Sequence, residues 1–278
     1  MLLNAPEKAV AVGEWTEVGD GVLARRYEHL DQTLGLVVGQ ERCLVIDTGG
    51  DEVQGAEFVA AIKGVTSLPW TVVITHAHFD HYFGTAPFRP CPVWSHDRCR
   101  AAMAADAEHD RAAFAARFVR DGEHELADRL VNAELVLPDE VMTTKTELDL
   151  GGRVVTLLHP GLAHSDGDLM VHVPDAGVVF AGDLVEVGAP PSIGPDADPV
   201  GWPKALDKIL ALRPDTVVPG HGSPVDVSYV EEQRDQLHQL SALFRAVKAG
   251  RMSVEEALPH SPFPEATTRP VLDRVSRT

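Results

Sequence analysis

Residues 75–81 read THAHFDH and place His76, His78, Asp80 and His81 within six positions at the end of the apolar run WTVVIT. Residues two apart in an extended chain point the same way, so His76 and His78 can grip one ion together. Asp80 and His81 follow on a turn and can face a second ion a few ångströms away. Imidazole with carboxylate suits zinc, with iron or manganese as competitors. A lone histidine reads as an ordinary core or surface residue. Only 13 of the 278 residues are histidine, so three at fixed offsets beside an aspartate point to a metal site.

Three further residues belong with these four. His164 lies in HPGLAHSDGD, Asp183 closes GVVFAGD and His221 closes DTVVPGH. Each falls just beyond a β-type run. In α/β proteins the carboxyl ends of strands meet on one rim, where loops supply the functional groups. Four separate strand ends therefore aim at one place. His96 and His238 fall outside the pattern and are expected to matter little.

The elements that must do this positioning are legible in outline. Residues 21–27, 33–39 and 42–49 read as consecutive strands, and 53–64 as a helix ending on Gly64. Residues 70–75 read as a short buried strand. Residues 96–130 form a long helical excursion that Gly122 interrupts. Strands are predicted again at 133–138, 153–159, 168–174, 177–182 and 215–220, with helices at 202–212 and 227–249. The Pro- and Gly-rich segment 188–199 reads as a defined loop or lid. This order fits a layered α/β architecture in which helices flank two sheets.

Composition narrows the function. With 24 basic and 42 acidic side chains the net charge is −18, which repels phosphate backbones and anionic lipid. The expected partner is a small-molecule substrate, with no nucleic acid and no membrane. The oligomeric state is left open. No run approaches 18 apolar residues, the first 20 residues lack the pattern of a signal peptide, and the three cysteines show no paired spacing. A cytoplasmic protein with reduced thiols is expected.

THAHFDH, GLAHSDGD, FAGDLV and VPGHG, in this order, resemble the metallo-β-lactamase-fold hydrolase superfamily. The resemblance spans about residues 15–225 and takes in DTGG at 47–50. It implies an αββα four-layer sandwich, with 96–130 as a helical insertion and helices at the C-terminus. It divides the chain into a metallo-β-lactamase-like domain, 1–225, and a helical extension, 226–278, packed on it. Carried over by motif, His76, His78 and His164 bind one metal, Asp80, His81 and His221 bind a second, and Asp183 bridges them. Asp47 resembles the family's acid close to the site, although an aspartate in a strand-end turn explains it equally well. Many relatives follow the motif with a small residue and glycine. Here Tyr82, Phe83 and Gly84 follow, so Tyr82 is either core filler or part of the pocket wall.

The resemblance implies a dinuclear zinc hydrolase in which a metal-bridging hydroxide cleaves an ester, thioester, lactone or amide. Asp80 is the catalytic candidate, able to pass a proton to the leaving group. Ser165, beside His164, reads as a turn residue. The acid at Asp183 resembles the thioesterase, lactonase and phosphodiesterase branches more than the β-lactamases. Two alternatives stand: a mononuclear iron oxygenase of the persulfide dioxygenase type, and a non-catalytic metal-binding scaffold.

Overall fold

Two sheets lie face to face in the computed structural model, which describes residues 12–276. Most of the N-terminal stretch read for a signal peptide lies outside the described residues. The first sheet has seven strands in sequential order: β1 (Glu14–Gly19), β2 (Val22–Arg26), β3 (Thr33–Val38), β4 (Cys43–Ile46), β5 (Trp70–Val73), β6 (Val93–His96) and β7 (Glu140–Met142). Its first four strands run antiparallel and its last three join in parallel. The second sheet has the order β12-β11-β10-β9-β8, built from β8 (Lys145–Asp149), β9 (Val154–Leu158), β10 (Met170–Val173), β11 (Val178–Glu186) and β12 (Thr216–His221). Only its β11–β12 pair is parallel.

Alternation along the strands builds three cores. On β3, Leu34 and Leu36 face the helices while Val37 faces the other sheet. Between the sheets, Val37, Leu44, Ile46 and Val73 meet Val155, Val171, Phe180 and Val218. A Cβ at Gly35 would strike the Phe180 ring, so glycine is what lets the sheets close there. The first sheet's outer face packs on α1 (Glu52–Val65), α2 (Phe79–Tyr82), α3 (Asp97–Arg120) and α4 (His124–Asn132). The second sheet packs on α5 (Trp202–Ala211), α6 (Val227–Lys248) and α8 (Glu265–Ser276), with the short α7 (Val254–Ala257) between the last two. The result is the αββα sandwich. Val230, Leu237, Leu240 and Val271 of the C-terminal helices share one core with Trp202, Leu206 and Ile209.

The insertion follows the sequence closely. Helix α3 ends at Arg120, Gly122 takes φ 82° and α4 begins at His124. The strand predicted at 133–138 is absent. Strand β6 pairs instead with Glu140–Met142, which becomes the sheet's edge, and Asp139 Oδ1 accepts the Val93 N–H at 2.7 Å. A short apolar run leading into Pro138 has no ladder left to join. Strands β1, β7 and β8 escaped the sequence reading because they are largely polar and bury only one residue between them, Met142. No helix among the described residues is long and apolar enough to cross a membrane, and Cys43, Cys91 and Cys99 are free.

His96 differs from its expectation. It is buried, stacks on His159 with centroids 3.9 Å apart and pairs through Nε2 with Thr143 O at 2.9 Å. His96→Ala is expected to cost about 1–3 kcal/mol of stability by leaving that carbonyl unpaired. Metal uptake should be unchanged. Chemical denaturation beside metal analysis of the purified variant checks both.

Candidate metal centre

The parallel pairing of β4 with β5 sets the turns after both strands side by side. Asp47, in the left-handed region at φ 58°, leaves β4. It accepts the Thr75 N–H at 2.7 Å through Oδ1, and the Thr75 hydroxyl at 2.8 Å and His81 Nδ1 at 2.8 Å through Oδ2. Thr75 Oγ1 in turn lies 3.0 Å from His76 Nδ1. One carboxylate thus fixes two imidazoles. The one-turn helix α2 carries Asp80 and His81, and Gln32 holds it by donating to Asp80 O while accepting from Gln54 Nε2 at 2.7 Å.

The other side comes from the second sheet. The β11–β12 register shifts at Gly182, a bulge that re-aims Asp183 while the strand continues to Glu186. A Cβ at the neighbouring Gly220 would collide with Asp183 Oδ1. His221 ends β12, with Nδ1 2.8 Å from Leu30 O. His164 sits on a loop tied by Asp168, which accepts from Ser165 N at 2.9 Å and Ser165 Oγ at 2.7 Å. Ser165 is therefore the turn residue the sequence indicated.

These elements converge. Ligand-capable atoms of His76, His78, His164 and Asp183 lie within 4.8 Å of one another, and so do those of Asp80, His81 and His221. Asp183 Oδ2 is 3.6 Å from both His76 Nε2 and His164 Nε2 and 3.3 Å from His221 Nε2, and its Oδ1 is 3.2 Å from His81 Nε2. His221 Nε2 is also 3.3 Å from Asp80 Oδ2. Donor atoms about 2.1 Å from a tetrahedral zinc stand about 3.4 Å apart, so these separations suit ligands around divalent ions. His76 Nε2, His81 Nε2, His164 Nδ1 and Asp183 Oδ1 are buried without a hydrogen-bond partner. Each such atom costs about 1–3 kcal/mol, and the three that face one another in the cluster, His76 Nε2, His81 Nε2 and Asp183 Oδ1, are unfavourable unless they serve a ligand. The donor set therefore fits a pair of metal ions.

Electrostatics agree. Burial works against the imidazolium of His81, yet Asp183, Asp80 and Asp47 outweigh it and lift its pKa well above the usual range. For Asp80 burial works against the carboxylate, and His81 and His221 overcome it, bringing the pKa down to about 2. Burial dominates at His76 and pushes its pKa well below the ordinary value. The carboxylates require positive charge in their midst, which protons supply when no metal does.

The clusters form the floor of a cleft of about 1140 Å³. One wall is α3; another is the loop 188–196. Glu186 sits beneath that loop, accepting from Ser192 N at 2.7 Å and Ser192 Oγ at 2.9 Å, and burial raises its pKa to about 7.

The Metallo-beta-lactamase superfamily model matches residues 30–221. The chain belongs to this superfamily. "Probable metallo-hydrolase YqgX" of Bacillus subtilis (strain 168) is 27% identical over 222 residues, 74% of this chain and 92% of that protein. "Acyl-coenzyme A thioesterase MBLAC2" of Bos taurus is 29% identical over 193 residues, 63% and 68% of the two chains. "Metallo-beta-lactamase type 2" of Bacteroides fragilis is 30% identical over 109 residues, 38% of this chain and 44% of that one, so the match spans less than half of its length. Among solved structures, the metallo-β-lactamase FIM-1 from Pseudomonas aeruginosa in its mono-zinc form has the same fold. Its TM-score is 0.65 at 20% identity, covering 85% of this chain and 99% of that one.

All seven superfamily motif residues thus meet at one rim. Asp47 takes the supporting place the resemblance implied. Tyr82 is core filler, 1% exposed and packed among the residues behind the site. Two contributors carried no sequence signal. Asp196, on the 188–199 loop, lies 3.1 Å from His78 Nε2, which turns His78 Nδ1 inward. Arg274 of α8 holds that loop, donating to Ile193 O at 2.7 Å, to Gly194 O and to Ala197 O at 3.2 Å. Such outer partners typically govern metal affinity about 10–100-fold. Asp196→Asn and Arg274→Ala are expected to weaken metal uptake at the cluster containing His78, and Asp47→Asn at both clusters, since Asp47 holds His81 directly and His76 through Thr75. Cobalt titration against a chelator, followed by absorbance, measures each site.

Proposed function

We propose that the protein is a dinuclear zinc hydrolase that cleaves a small ester, thioester, lactone or amide. The observation that carries this reading is the gathering of seven His and Asp side chains into two adjoining clusters, five of them lining the floor of one cleft and His76 and His81 buried beneath it. His76, His78 and His164 would hold one ion, Asp80, His81 and His221 the other, with Asp183 between them. Bound there, the ions supply an activated water and positive charge for the developing oxyanion.

The chain's own groups do the rest. His81 is held by Asp47, His78 by Asp196 and His221 by Leu30 O, so each turns its other nitrogen into the cluster. Asp80, beside His221 Nε2 at the cleft floor, is the carboxylate placed to orient the attacking water and to carry its proton to the departing oxygen, sulfur or nitrogen. Similarity to a probable metallo-hydrolase and to an acyl-coenzyme A thioesterase supports the same reaction class. An iron oxygenase would need only two histidines and one carboxylate, leaving the Asp80, His81 and His221 cluster without employment.

A panel of acyl esters, thioesters and lactones with zinc-loaded protein tests the proposal. Turnover of at least one class is expected, with about two zinc per chain by mass spectrometry and no oxygen uptake. Asp80→Ala should lower kcat at least ~100-fold and release the second metal, and Asp183→Asn should lower occupancy at both sites. Full metal loading with no turnover on any class would leave the scaffold reading standing.

A further inference from the structure

One face of α3 forms a stripe along the cleft. Ala102, Asp106, Asp110, Phe114 and Phe118 are spaced by four residues and all line it. The Phe114 ring lies 4.2 Å from that of Phe79, which stands between His78 and Asp80 in sequence. An apolar wall therefore stands beside the metal-competent floor, and Asp110 and Asp106 continue its stripe one and two helical turns before Phe114.

The charge of this cleft is one-sided. Beyond Asp80 and Asp183, eight carboxylates line it against one side-chain cation outside the histidines, Arg117. The whole chain has 42 acidic and 24 basic residues, a ratio that does not account for eight to one. Several of the eight are engaged: Asp31 with Arg26, Asp121 with Arg117 and Asp196 with His78. Among the described residues, Asp106 and Asp110 make no side-chain hydrogen bond or ion pair. Burial, with Asp106 as neighbour, raises the pKa of Asp110 although His78 and His109 pull the other way, so keeping that carboxylate charged is costly. The cleft is a ligand site on other grounds, since its floor carries the metal-competent cluster in which Asp183 Oδ1 is buried without a hydrogen-bond partner.

The ions of the hydrolase reading would answer the carboxylates of the floor, but along the α3 wall no lysine lines the cleft to receive a phosphate or carboxylate, and an anionic arm there would meet Asp106 and Asp110. An organic cation gains twice, from the unpaired carboxylates and from the Phe114 ring, which lines the cleft and packs on the buried Phe79. We propose that the substrate carries a quaternary or protonated amine on an apolar arm, seated against Asp106, Asp110 and Phe114 while its acyl bond lies over the metal-competent floor. This rests on the hydrolase reading above and narrows it to a substrate class. The reaction keeps its balance: water adds across the acyl bond, giving a carboxylic acid and an alcohol, thiol or amine.

The test compares butyryl thioesters of three thiols of similar size: 2-(trimethylammonio)ethanethiol, its neutral carbon isostere 3,3-dimethylbutanethiol, and anionic 3-mercaptopropionate. A matched set with the charge on the acyl arm covers the reverse orientation. At low salt kcat/KM for the cation is expected to exceed that for the neutral isostere ~10-fold, with the anion poorest. The ratio should fall toward one in 0.5 M salt (roughly, well inside the screening range) and in Asp106→Asn/Asp110→Asn. Equal turnover of all three, or a preference untouched by the double variant, overturns the proposal while leaving the hydrolase reading intact. Binding gives a readout separate from turnover. Benzyltrimethylammonium should bind the wild type by calorimetry and more weakly the double variant and Phe114→Ala, each checked for native circular dichroism. Absence of binding by the wild type overturns the proposal even if no thioester is cleaved.

Discussion

Asp183 is the point on which the molecule turns. Its two oxygens stand 3.2–3.6 Å from imidazole nitrogens of His76, His81, His164 and His221, and the residue itself is buried at the bottom of the cleft. A buried carboxylate ringed by histidines is stable only with positive charge among them, whether from protons or from metal. Meeting that condition takes both sheets. The first contributes through β4 and β5, the second through β11 and β12, and the sandwich packs them so that their ends share one rim.

Rigidity around the site follows from the same requirement. Imidazoles bind a metal well only when the second nitrogen is already committed. Asp47, Leu30 O and Asp196 meet this need for three of them, and the Thr75 hydroxyl for a fourth. The glycines close by are compelled by space: at Gly220 any side chain would displace Asp183. The C-terminal helices belong to this support. Arg274 grips the carbonyls of the loop that carries Asp196, so a segment beyond the superfamily match reaches the metal-competent floor through two contacts.

The floor and the walls of the cleft have different sources. The floor uses the superfamily's motif residues. The walls are α3 and the loop 188–196, whose acidic and aromatic side chains bear on which molecules approach. A common reaction centre can in this way serve unrelated substrates, because chemistry depends on a few atoms at the bottom and selection on the surface above them.

The sequence by itself determined the seven candidate ligands, because their types and spacing are local facts and strand-end positions follow from apolar runs. It also determined the two-sheet layering and the break at Gly122. Tertiary structure alone decided the rest. Residues 133–138 lost their strand because β6 pairs with 140–142, a choice made by neighbours and register. His96 became a buried stacking partner through contact with His159, 63 positions away in a chain numbered continuously. Asp196 and Arg274 joined the site through loop and helix packing that leaves no periodic trace. The metal-binding pattern is written within short segments, whereas the groups that orient and wall the site meet only when distant segments fold against each other.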